Sequence, residues 1–185
     1  MKFTAIKTAA VTGLLFTFSC AGADQTDPRL DTLFALLAET TDTALLNEVE
    51  NRIWAIWYEH PDREVASMLA AGERMMNAGY YGDALQVFST LIERQPDYAE
   101  AWNRRATLYY LMERYPESLA DIEKTLALEP RHFGALSGLG LVYLQQDNLP
   151  RAREAFENLL AIHPHSPAAR ENLERVLNAL RMQFI

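Results

Sequence analysis

Cysteine is nearly missing from this chain: Cys20 is the only one in 185 residues. Nothing after it can form a disulfide framework, a thiolate metal site or a cysteine nucleophile. Lysine is scarce too, with Lys2, Lys7 and Lys124 beside fourteen arginines. Acids outnumber bases 25 to 17, for a formal net charge of −8. That balance argues against nucleic acid as a partner, because nucleic-acid binding draws on a clustered basic surface. No Gly-rich phosphate loop, Gly-x-Ser-x-Gly elbow or His-Glu-x-x-His helix occurs. Paired acids such as Asp121 and Glu123 lie two apart on a helix and so point to different faces. These absences predict a protein that is not an enzyme, with no catalytic residue, no bound metal and no cofactor.

What is present at the start reads as an address. Lys2 and Lys7 supply a positive beginning, Ala9 to Phe18 an apolar centre, and Ala21-Gly22-Ala23 a small-x-small cleavage site. The apolar run falls short of the roughly 20 residues of a membrane-spanning helix. Residues 1–23 are therefore expected to be a signal peptide cleaved after Ala23, which sends the protein to the periplasm or out of the cell. The alternative is a lipid on Cys20, the one route by which a membrane would be a partner. Thr17 stands where such lipidation wants an aliphatic residue and Ser19 where it wants a small one, with a bulky Phe18 between. Cleavage removes two lysines and no acid, moving the net charge from −8 to −10.

The remainder repeats. Pro96, Pro130 and Pro164 are spaced by 34 residues, and Pro61 lies 35 before Pro96. A period of this size marks one supersecondary unit stacked on copies of itself. Aligning residues 65–98, 99–132 and 133–166 superimposes Gly72, Ala106 and Gly140, and likewise Phe88, Ile122 and Phe156. Such a unit holds two helices of about four turns, with small side chains letting the two axes approach. Gly79 and Asp147-Asn148 mark the turn inside a unit, and the prolines mark the turn between units. Asp27-Pro28 opens an earlier helix through Leu30, Leu33, Phe34 and Leu37. A second carries Leu45, Leu46, Val49, Ile53, Ile56 and Trp57 on one face and stops at His60-Pro61. Trp54 and Tyr58, on the adjoining face, are expected to pack on the next helix, with an exposed aromatic docking edge as the alternative. The histidines His60, His132, His163 and His165 all fall at unit boundaries and read as solvated turn residues, although His163 and His165 could begin a metal site if more ligands converged.

Trp102, Ala106, Tyr109, Tyr115 and Pro130 in the second unit, and Leu136, Gly140, Tyr143, Ala152, Phe156 and Pro164 in the third, resemble the tetratricopeptide repeat. Arg105 departs from the pattern, standing where leucine is usual. Ala101 to Tyr143 also resembles a group of short secreted bacterial members. The resemblance implies an all-α, right-handed α-solenoid of antiparallel helix pairs: a degenerate N-terminal pair or cap over 24–64, three units at 65–98, 99–132 and 133–166, and a capping helix over 167–185.

It also implies a protein or peptide partner held in the concave groove lined by the first helix of each unit. The groove-facing places are Leu69, Glu73 and Met76; Asn103, Arg104, Thr107, Tyr110 and Leu111; Gly134, Ser137, Gly138, Leu141 and Leu144; and Arg175 on the last helix. Arg104 and Arg175 are the expected anchors for a partner's charge. Leu69, Glu73, Gly134 and Gly138 replace the polar residues of the family's chaperone-tail clamp, so that mode is not expected. The alternative function is an envelope-assembly or self-associating subunit using the edge near Trp54 and Tyr58.

Overall fold

The computed structural model describes residues 24–183, so the expected signal segment 1–23, with Cys20, lies outside them. Within that range the chain is all-α, with no strand. The helices are α1 (Arg29–Glu39), α2 (Thr43–Tyr58), α3 (Arg63–Asn77), α4 (Tyr81–Arg94), α5 (Ala99–Leu111), α6 (Tyr115–Leu128), α7 (Phe133–Gln145), α8 (Leu149–Ile162) and α9 (Pro167–Met182). Side chains ahead of several helices satisfy first-turn N–H groups that have no partner within the helix. Asp27 accepts from the Arg29 N–H at 2.8 Å, Asp42 from Leu45, Asp62 from Glu64 and Ser166 from Ala169.

Helices α3 and α4, α5 and α6, and α7 and α8 pack as pairs, and successive pairs stack through α4 on α5 and α6 on α7. The turn inside each pair repeats to the atom. Gly79, Glu113 and Asp147 all adopt positive φ, at 80°, 59° and 53°. The residue after each donates back to Met75, Tyr109 and Tyr143. This left-handed cap favours glycine, and only the first unit has one.

Size complementarity closes each pair. The Phe88 ring lies on the bare Cα of Gly72, and Phe156 lies on Gly140. In the second unit the larger Ala106 faces the smaller Ile122, and the Ser118 hydroxyl donates to the Ala106 carbonyl at 2.8 Å. Arg105 is accommodated by a different chemistry from leucine. Its guanidinium grips Asp121 of α6 through two bonds of 2.7 and 2.9 Å and lies over the Trp102 and Tyr109 rings. Such a two-point contact fixes orientation as well as charge.

The N-terminal pair is the exception. The apolar side chains of α1 and α2 share a core with Phe133, Leu136, Phe156, Leu159 and Val176 of α7, α8 and α9, while the core of α3 and α4 receives only Tyr58 from them. The α1–α2 hairpin therefore folds back across the first helices of the units. This corrects the expectation of a degenerate unit capping the array at 24–64. The stripe Val49, Ile53, Ile56 and Trp57 is apolar enough for either placement, and the partners that decide it lie about 75 or more residues further along the chain.

Candidate functional site

The face lined by α3, α5 and α7 carries a buried polar network. Glu100, at the start of α5, is 1% exposed. It accepts from Asn103 at 3.0 Å, pairs with Arg104 one turn on, and meets His132 Nε2 at 2.9 Å. Because His132 Nδ1 accepts the Ala135 N–H at the start of α7, Nε2 is the nitrogen that donates to Glu100. Arg104 reaches Glu73 of α3 at 3.2 Å as well, so the network joins α3, α5 and, through His132, the start of α7. Burial alone would raise the Glu100 carboxyl. The adjacent Arg104 and His132 outweigh it and hold the group below the ordinary carboxylate range.

Aromatic side chains of α2 cover this network. The Trp57 ring stacks on His132 with centroids 4.0 Å apart and planes 10° from parallel. Arg104 lies beneath Tyr58 and Trp54 at 4.7 and 5.4 Å from the ring centroids, in range for cation–π attraction. The Tyr58 hydroxyl donates to Glu73 at 2.6 Å, and the Tyr98 hydroxyl to the Trp57 carbonyl at 2.9 Å. Trp54 sits on Gly134, where an added Cβ would come within 2.5 Å of the ring.

Several sequence expectations change here. Arg104 is occupied by Glu73, Glu100 and two rings, so it is no anchor for an incoming charge. Leu69 and Met76 are core residues of the first unit, and Glu73 is spent on Tyr58 and Arg104. Trp54 and Tyr58 keep to the leading expectation of helix packing, Tyr58 on Glu73 of α3 and Trp54 on Gly134 of α7, and only the alternative of an aromatic docking edge is not realised. His132 and His163 are buried rather than solvated, because α2 covers the turns they occupy. Leu111 and Arg175 are exposed, Arg175 meeting Asn172 at 3.2 Å, and Leu144 packs against the α7–α9 core.

The other expected groove residues do come together. Asn103, Thr107 and Tyr110 of α5 face Gly134, Ser137, Gly138 and Leu141 of α7 across a cavity of about 150 Å³ floored by Ile122. Gly138 opens on it: a Cβ there would meet only Ile122, at an ordinary 3.5 Å. An apolar space of about this size accepts a group as large as benzene. Glu100 and Trp57, central to the covered part, were not singled out as site residues from sequence. The signal for Glu100 is its groove-facing place in the unit, four residues before an arginine.

The tetratricopeptide repeat model matches residues 69–120 and 104–167. The chain belongs to the tetratricopeptide repeat family. A TPR repeat-containing protein of Rhizobium etli is 34% identical over 152 residues, 82% of this chain and 74% of that relative. A mouse DnaJ homolog subfamily C member 3 is 29% identical over 120 residues, 65% of this chain but only 24% of the relative. Among solved structures, the first TPR of Spaghetti (RPAP3) bound to the HSP90 peptide SRMEEVD matches with a TM-score of 0.61. Its sequence identity is 20%, and the match covers 63% of this chain and 93% of that one. At that identity the likeness establishes the tetratricopeptide fold alone. The family model begins at Leu69, after α2.

Proposed function

We propose that this tetratricopeptide protein is an exported, non-catalytic interaction module that holds a peptide segment in the cleft between α5 and α7. The observation carrying this reading is the cleft itself. It is the part of the groove that α2 leaves open, it has no charged lining residue, and Gly138 lets a partner's backbone come close. Its volume suits one apolar anchor side chain, with Asn103, Thr107 and Ser137 supplying hydrogen bonds around it. Peptide binding by a solved relative supports the mode, while the changes at Leu69, Glu73, Gly134 and Gly138 point away from a chaperone tail. Export rests on the leader-like residues 1–23.

Selection from a random peptide library on the full mature chain tests the reading. Recovered peptides should share one apolar anchor and lose binding to Gly138→Leu, which fills the cleft, while thermal melting of that variant stays within a few degrees. Peptides that bind Gly138→Leu as well as the parent would remove the cleft from consideration. The mass of the protein exported by its native cell tests the address, with a start at Asp24 expected.

A further inference from the structure

We propose that the covered face of α3, α5 and α7 is a receptor for an aromatic amphipathic helix, and that α2 is its resident occupant. A partner helix that presents an acid, a Trp four residues later and a Trp-Tyr pair three and four residues after that would displace it. The pattern is read from α2 itself, whose Glu50, Trp54, Trp57 and Tyr58 make the contacts. This goes beyond the cleft reading and does not depend on it.

The seat is built into the array rather than by the helix on it. Every charge on the floor has its partner within the floor: Arg104 with Glu100 and Glu73, and Glu100 with Asn103 and His132. Removing α2 therefore strands no buried charge, the event that makes most polar interfaces hard to open. Two hydrogen bonds to α2, Tyr58 to Glu73 and Tyr98 to the Trp57 carbonyl, are exchanged for water. Gly134 supplies a seat for one indole, and the His132 ring a flat surface for another.

The resident is also an imperfect fit. Trp57 Nε1 and His163 Nε2 are the two buried side-chain polar atoms without a hydrogen-bond partner among the described residues, and both lie at this contact. His163 faces Glu50 of α2 at 3.2 Å through its other nitrogen. Such orphaned groups weaken the contact that buries them. Helix α2 joins α3 through residues 59–62 alone, and its main packing is against α5 and the α7–α9 core instead of α3. The hairpin is kept seated by the apolar core it shares with α7, α8 and α9 and by its tether, which holds it at high effective concentration.

The test uses the full chain with a specific-protease site inserted after Glu59. The probe is a fluorescein-labelled synthetic peptide of residues 41–60. A control peptide carries Trp54→Ala and Trp57→Ala. Intact chain should bind the probe weakly. Once cut, it should bind about 10-fold tighter or more, because the competitor has lost its tether, and it should release its hairpin into a separate size-exclusion peak. The control peptide should do neither. Gly134→Leu should block probe binding, whereas Gly138→Leu, which fills the neighbouring cleft, should leave exchange intact. Loss of cleft partners and loss of helix exchange are thus separate results.

A cut chain that keeps native helicity and retains its hairpin under excess probe would overturn the proposal. So would equal exchange by the control peptide. Reciprocal hairpin exchange between copies without probe binding would assign the seat to a second copy, and overturn it as well. If Gly134→Leu fails to fold, exchange by the cut parent chain still decides.

Discussion

The contacts within repeat units and the contact between hairpin and array are made of the same kind of helix by opposite means. Between the helices of a unit, a ring lies on a bare Cα, as Phe88 on Gly72 and Phe156 on Gly140, and the unit between them sets Ile122 against Ala106 at the same places. Between hairpin and array, indoles and a phenol lie over buried charges, and the arrangement occurs once. The first is close packing that any copy of the unit reproduces. The second sets a lid on a polar floor beside a shared apolar core, and it leaves two polar atoms unsatisfied. The difference predicts where the molecule opens: array interfaces melt together, and the hairpin can lift without them.

The largest test strikes the floor the two regions share. Glu100→Ala leaves Arg104 and His132 facing each other without the buried carboxylate, and should cost roughly 3–5 kcal/mol in urea denaturation of the whole chain. Trp57→Ala sharpens the contrast. It should cost about 3 kcal/mol or more, as buried aromatic truncations do, but the loss should fall on the hairpin. Hydrogen exchange should accelerate over 29–58 while α5 to α8 keep their protection. Equal acceleration everywhere would mean that hairpin and array are one cooperative body.

Acid should act on the same contact. Burial pushes the His163 imidazole down to about 4, with the positive charges of His165 and Arg170 adding to the effect. An unfolded histidine titrates near 6.5, so between pH 6.5 and 4 the unfolded chain takes up a proton that the folded chain refuses. Stability should fall with pH in that window, by about 1–2 kcal/mol between pH 7 and pH 5, and His163→Gln should flatten the dependence. Urea midpoints at the two pH values measure it.

Two glycines one turn apart on α7 separate the regions more finely. Gly134→Ala drives a methyl into Trp54 and should cost roughly 1–3 kcal/mol, whereas Gly138→Ala makes only an ordinary contact with Ile122 and should stabilise by up to about 1 kcal/mol. The smallest effect lies within the array. Glu113 at φ 59° stands where the first unit has Gly79, and Glu113→Gly should raise the melting temperature slightly, with a gain of roughly 0.5–1 kcal/mol.

Much of the array is legible residue by residue. Gly72 and Gly140 announce a close approach, and the αL turn is visible at Gly79 but concealed at Glu113, where an acid gives no hint of positive φ. In the groove, Asn103, Thr107, Tyr110, Ser137 and Leu141 were identified by their place in the unit and do share a cleft. Arg104 was identified by the same rule and assigned the wrong partner. Place in the unit says which way a side chain faces, and says nothing of what else the fold brings against it.

By itself, then, the sequence determined the helices, their pairing and the groove-facing positions, because helix pairing is local and its rules recur at a constant spacing. Only the tertiary structure decided that α1 and α2 turn back over that groove. Leu46, Val49, Ile53 and Ile56 form one apolar stripe that suits stacking at the end of the array or lying across it. Which one is realised depends on Gly134, His132 and Phe133, which fit the rings of α2 and stand some 75 residues beyond it.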